Sequence, residues 1–390
     1  MKVIKILDIL LISLKLGLTS FGGPIAHLGY FHEEYVRKRK WLDERTYVDL
    51  VALCQFLPGP ASSQVGIGIG VIRAGFLGGI AAFLGFTLPS VIVLILFALL
   101  LKGSTFQNAG WVHGLKIVAV VIVAQAILGM ARTLTPDLKR KALALFALVV
   151  VLLWHSAFSQ LGIILFSALI GVLFFRHTDI PVDVEIKVPL SRRMALICLI
   201  LFFGLLLVLP VLGEMTSSRE VSLFDRFYRS GALVFGGGHV VLPLLQHEFV
   251  PQGWISKDSF LAGYGAAQAV PGPLFTFAAY LGAVMNGWKG GILATIAIFL
   301  PAFLLVMGTL PFWGTLRSIP RLKGAIQATN GAVTGILIAA FYTPIWTSSI
   351  LSAKDFALGA ILFSLLAFVK LPPWVIVLVG ALGGQLISLF

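Results

Sequence analysis

Two short motifs in this chain put glycine and proline where a helix would otherwise run on, and each occurs twice. Phe21-Gly22-Gly23 recurs as Phe235-Gly236-Gly237, and Gln55-x-x-Pro58-Gly59-Pro60 recurs as Gln268-x-x-Pro271-Gly272-Pro273. Proline removes a helix hydrogen bond and glycine tolerates dihedrals closed to other residues, so each motif predicts a helix break. A break leaves backbone amides without partners and presents the positive end of a helix dipole, which together suit a small anion. Gln55 and Gln268 add side-chain amide donors beside the prolines, and His239 flanks the second glycine run. The same glycines would equally serve close helix crossing, and the glutamines would equally satisfy carbonyls freed by proline.

Charges near the motifs are also paired. Lys15 and Arg229 each lie six residues ahead of their Phe-Gly-Gly. A cation in an apolar segment costs several kcal/mol unless paired or hydrated, so both are candidates for drawing in an anion. Snorkelling to the interface is the other reading, and Arg229 is well placed for it. Glu34 and Glu248, beside His32 and His247, occupy matching positions. They are candidates for proton coupling, or are surface residues pairing with Arg37 and Lys38. His113, His155 and His177 read as loop or interface histidines.

No catalytic or metal-binding constellation is evident, and no cofactor is expected. A G-x-x-x-x-G-K-[ST] loop is absent, and Gly66-x-Gly68-x-Gly70 reads as a helix-packing pattern rather than a dinucleotide site. Glu33-Glu34 and Asp43-Glu44 lack the repeated acidic spacing of bound magnesium, which makes a lipid-phosphate enzyme a distant alternative. Cys54 and Cys198 lie in apolar segments and read as buried thiols.

The elements that must hold these residues are membrane helices. The 390 residues are 58% hydrophobic and 12% charged, with mean hydropathy +1.00. A soluble chain of this length would carry far more charge, and the apolar runs reach the roughly 20 residues a bilayer core needs. No strict period-two alternation points to a β-barrel. The expected fold is all-α and polytopic.

The motif matches fall at an offset of about 213 residues, and Trp41 with Trp254, Gly78-Gly79 with Gly290-Gly291, and Pro89 with Pro301 follow the same offset. The chain therefore reads as a first repeat (1–190), a linking helix and loop (191–220) and a second repeat (221–390). Each repeat has broken or re-entrant hairpins and about four spanning helices. The extra span at Met194–Val211 would invert the second repeat. A cytoplasmic N-terminus puts Arg37–Lys40, Arg45, Lys139–Lys141 and Arg192–Arg193 inside, as the positive-inside rule expects. The net charge of +13 then belongs to cytoplasmic loops rather than to a nucleic-acid surface. Inverted repeats with broken helices are a recurrent transporter design.

Ser20-Phe21-Gly22-Gly23-Pro24, Trp41-Leu42 after a basic cluster, Phe235-Gly236-Gly237-Gly238-His239 and the two Gln-x-x-Pro-Gly-Pro motifs together resemble the signature of the chromate ion transporter family. The resemblance covers nearly the whole chain and is similar to long, two-domain members. It implies chromate export across the plasma membrane, with sulfate or another small anion as the alternative substrate. The implied partners are that oxyanion and the lipid bilayer, and a homodimer is left open. Expelling a dianion from a negative-inside cell releases about 4.6 kcal/mol per 100 mV. That sustains roughly a thousandfold gradient without ATP.

Re-entrant and fully crossing hairpins differ in where Arg45 lies. With Cys54 and Cys198 replaced, an Arg45→Cys variant should react with an impermeant maleimide only from the cytoplasmic face; labelling from outside would require crossing hairpins.

Overall fold

A computed structural model describes residues 2–101, 109–154, 157–175, 188–216, 218–235, 238–316 and 319–389, and every element among them is helical. The first half runs α1 (Lys2–Thr19), α2 (Gly23–Phe31, continued as a π turn through Lys38), α3 (Glu44–Phe56), α4 (Ala61–Ala74), α5 (Phe76–Leu101), α6 (Gly110–Leu134), α7 (Leu138–Leu153) and α8 (Ala157–Phe174). The linker is α9 (Arg192–Thr216). The second half runs α10 (Arg219–Ala232), α11 (Val241–Phe249), α12 (Lys257–Ala267), α13 (Phe277–Thr309), α14 (Trp313–Leu316), α15 (Pro320–Ala340), α16 (Thr347–Ser349), α17 (Ala353–Ala367) and α18 (Pro373–Ile387).

Local chemistry sets these boundaries. Asp43 and Asp137 cap α3 and α7 by accepting the amides of Thr46 and Arg140, and Ser352 with Asp355 forms a capping box on α17. The Arg140 amide holds the exposed Asp137 carboxyl below its usual range. Gly75 ends α4 at φ 73°, ψ −156°, and Gly287 bends α13 at φ 62°, ψ −160°. The two halves thus carry the same bend at matching positions.

Five helical stretches are long and apolar enough to cross a bilayer: Phe76–Leu101, Gly110–Leu134, Arg192–Thr216, Leu274–Leu316 and Arg321–Ser349. This is a polytopic all-helical membrane protein. By contrast α3 and α4 have 13 and 14 residues, about 20 Å at the helical rise, too short to cross a core of about 30 Å.

The halves interlock rather than sit side by side. α6 packs on α17 and α18, while its counterpart α15 packs on α7 and α8; α5 meets α13 between them. Both large apolar cores draw on both halves, one joining Ala119 with Phe260 and the other Leu50 with Tyr228. Ion pairs cross as well: His113 Nε2 lies 2.8 Å from Asp355 Oδ1, and Lys116 Nζ lies 2.9 Å from Asp258 Oδ1. His113 is thus an inter-half contact and not merely a loop residue, whereas His155 and His177 lie outside the described residues.

Glycine permits the closest crossings. A Cβ on Gly114 would strike the Gly380 carbonyl, and one on Gly335 the Ala144 carbonyl. Gly70 and Gly78 close α4 on α5 in the same way, as the Gly66–Gly70 pattern suggested. Gly204 on α9 has nothing within 4 Å of its Cβ position. Gly335→Ala should therefore lower stability by about 1–3 kcal/mol through overpacking. Gly204→Ala should leave it unchanged or raise it by less than about 1 kcal/mol. Thermal unfolding of the two purified proteins checks the opposite signs.

Candidate functional site

The breaks come together through the backbone, and they do so reciprocally. Gly59 N–H donates to Val234 O at 2.7 Å, and Gly272 N–H donates to Ser20 O at 2.9 Å. Ser20 and Val234 are the residues just ahead of the two Phe-Gly-Gly motifs, so each Pro-Gly-Pro turn is fastened to the glycine break of the other half. Gly59 and Gly272 sit at φ 118° and 100°, a region that favours glycine. A Cβ on Gly272 would lie 3.0 Å from Ser90 Oγ, next to Pro89 within α5, and one on Gly59 would lie 3.1 Å from Ala302 Cβ, next to Pro301 within α13. A Cβ on Gly238 would lie 3.5 Å from Pro24 Cγ, so the two glycine breaks also adjoin.

This geometry revises the expected donors. The amides of Gly59 and Gly272 are spent on carbonyls and are not free for an anion. The donors that remain belong to the helices starting there: α2, whose N-cap Gly22 has φ 99°, and α4, whose N-cap Pro60 carries no side-chain cap. Gln64 braces the first turn by donating from Nε2 to Pro58 O at 2.8 Å.

The other candidate residues divide. Phe21 packs on Trp374 of the opposite half, ring centroids 6.4 Å apart. Gln55 is exposed on α3, whereas Gln268 is half-buried beside Tyr264, its Nε2 short of a well-formed hydrogen bond. His239 Nδ1 lies 2.8 Å from Tyr264 Oη. Gly236 and Gly237 lie outside the described residues. His27, Ser62, Ser63 and Gln64 are buried polar residues that sequence reasoning passed over; the signal was polar side chains in an otherwise apolar segment. Among the described residues no three His, Cys, Asp or Glu side chains gather as a metal site.

The paired cations meet the paired glutamates. Lys15 Nζ is 3.7 Å from Glu34, which also accepts from Arg39 Nε at 2.8 Å. In the second half Arg229 lies between Asp225 at 2.9 Å and Glu248 at 3.2 Å, and Arg226 reaches Glu248 at 3.0 Å. Glu34 is buried, not a surface residue; its neighbour Glu33 holds Arg37 and Lys38. Arg229 is likewise held by carboxylates rather than snorkelling alone. A cavity of about 440 Å³ lies apart from the breaks, at the α9–α10 junction, lined by Ser218, Arg219, Ser222, Gln252 and Trp254. There Arg219 stacks on Trp254 at 5.1 Å, as Arg73 does on the matching Trp41 at 4.9 Å.

A sequence profile of the family described as chromate transporter matches the chain twice, over residues 7–172 and 221–385. The chain belongs to the chromate transporter family. The two matches fall on the two halves just described. Relatives include a probable chromate transport protein of Synechococcus elongatus, 27% identical over 386 residues, or 95% of this chain and 93% of that one. A chromate transport protein of Pseudomonas aeruginosa is 26% identical over 397 residues, covering 96% and 90%. An uncharacterized transporter of Methanocaldococcus jannaschii is 27% identical over 337 residues, covering 85% and 83%. No solved structure matches significantly. The members matched are named for transport, in agreement with a chromate-transporter chain that is no enzyme.

The two charge clusters differ in strength. Glu248→Gln strips a half-buried carboxylate from two arginines and should cost about 1–3 kcal/mol. Lys15→Gln removes a distant contact from a side chain that is 63% exposed, and should cost under about 1 kcal/mol. Thermal unfolding of both variants checks the ranking.

Proposed function

We propose that this protein exports chromate from the cytoplasm across the plasma membrane as a secondary transporter, its N-terminus cytoplasmic and its two repeats (1–190 and 221–390) inverted about the linker. The observation that carries the reading is the reciprocal meeting of the breaks: helices α2 and α4 begin, uncapped, where the halves join. Uncapped helix N-termini at such a junction attract a small anion through amides and dipole. The family's relatives named as chromate transport proteins supply the substrate.

The interlocked halves suit alternating access by rocking. Each half's hairpin foot is held by its own charge cluster, Lys15–Glu34–Arg39 in one and Arg226–Arg229–Glu248 in the other. With inverted repeats these clusters face opposite sides, so each can loosen while the other holds. Membrane potential supplies the drive for a dianion, and Glu34 and Glu248 are the groups through which a proton would couple.

Everted vesicles energised positive inside should accumulate radiolabelled chromate, and collapsing the potential should abolish uptake. Uptake indifferent to potential would reject potential-driven export. Stronger competition from sulfate than from unlabelled chromate would reassign the substrate.

A further inference from the structure

Taking the oxyanion reading as given, we infer that the first half alone provides the anion's seat, a set of hydrogen-bond donors around the N-terminus of α4 formed by Ser20, His27, Ser62 and Ser63. Buried polar atoms are almost always partnered in folded proteins. Here Ser20 Oγ, His27 Nε2, Ser63 Oγ, Gln64 Oε1 and Thr87 Oγ1 all lack a partner, in residues only 0–3% exposed.

Part of this set adjoins directly: Ser62, Ser63 and Gln64 follow one another in the first turn of α4, and His27 packs against that turn. His27 Nδ1 lies 3.2 Å from Ser62 Oγ in the first turn of α4, and the imidazole sits against the backbone of Ser20. Its ring meets Phe86, next to Thr87, edge-on at 5.3 Å. The seat takes the tautomer in which the Ser62 hydroxyl donates to Nδ1; the neutral ring then carries its proton on Nε2 and is a donor there. Two hydroxyls, one imidazole N–H and the uncapped amides of α4 then surround the break. That donor set fits a tetrahedral oxyanion. Gln64 Oε1, which can only accept, fits a protonated oxyanion's O–H.

The second half shows that the fold does not require this polarity. At the matching positions Ser20, His27, Ser62 and Gln64 are replaced by Val234, Val241, Phe275 and Phe277, and Thr87 by Phe299. All five are buried, and the Phe275 and Phe299 rings pack at 5.9 Å. Thr276, the counterpart of Ser63, donates its hydroxyl to Pro273 O at 2.7 Å. At these positions the same break is thus built with phenyl rings in one half and unpartnered polar groups in the other, Gln268 Nε2 being the second half's own unpartnered donor. A difference that folding does not demand points to binding.

The test is thermal stabilisation of the purified protein by chromate, sulfate, molybdate and phosphate, titrated to give an apparent Kd. Chromate should bind Ser63→Ala and His27→Ala at least tenfold more weakly than wild type. His27→Gln, whose amide nitrogen reaches the place of Nε2, should lose less than His27→Ala. Thr276→Val should stay within about twofold. Ser20→Ala, expected at least fivefold weaker, decides the matter if Ser63→Ala lowers the unliganded midpoint. Wild-type stabilisation retained at full affinity in these variants overturns the seat alone, and assigns the donors to water. No stabilisation of wild type by any oxyanion overturns both the seat and the transport reading.

Discussion

Two hydrogen bonds, Gly59 N–H to Val234 O and Gly272 N–H to Ser20 O, are the constraint on which the rest of the molecule rests. A broken helix inside a membrane exposes backbone groups that lipid cannot satisfy, at several kcal/mol each. Neither half satisfies the glycine amide of its own Pro-Gly-Pro turn. Each turns its Pro-Gly-Pro glycine toward the carbonyl that the other half's glycine break releases. The exchange of α6 and α15 between the halves, and cores that mix residues of both, follow from the same requirement. A single half would leave both kinds of break open.

Once the junction is closed in this way, what remains unsatisfied there acquires meaning. The glycine amides are used up, so the donors left at the junction are the helix starts of α2 and α4 and the side chains around them. The outer charge clusters are separate from this junction. They join α1 to the segment after α2, and α10 to α11, and so fix each half's own hairpin rather than the contact between halves. The different tightness of the two, 3.7 Å for Lys15–Glu34 against 2.9–3.2 Å around Arg229, gives the halves unequal holds.

The features legible in the sequence were those set by neighbouring residues. Proline and glycine act on their own turn, so the breaks and the repeat could be read directly. The identities of the breaks' partners were not legible, because a carbonyl some 175 or 250 residues away accepts each amide. Glu34 was misassigned because the π turn after α2 rotates it inward and leaves Glu33 to the surface cations. His27 and Ser63 are not part of what the halves share, so the repeat does not mark them. Their signal was a difference: polar in the first half, apolar or internally bonded in the second. Gln55 and Gln268 show the converse, since identical residues in matching motifs differ in burial.

Locating the chromium atom in crystals grown with chromate, by its anomalous scattering, tests the account most directly. One peak should lie within hydrogen-bonding reach of the first turn of α4, between the halves. A peak only in the Arg219–Trp254 cavity, with the junction empty, would contradict it.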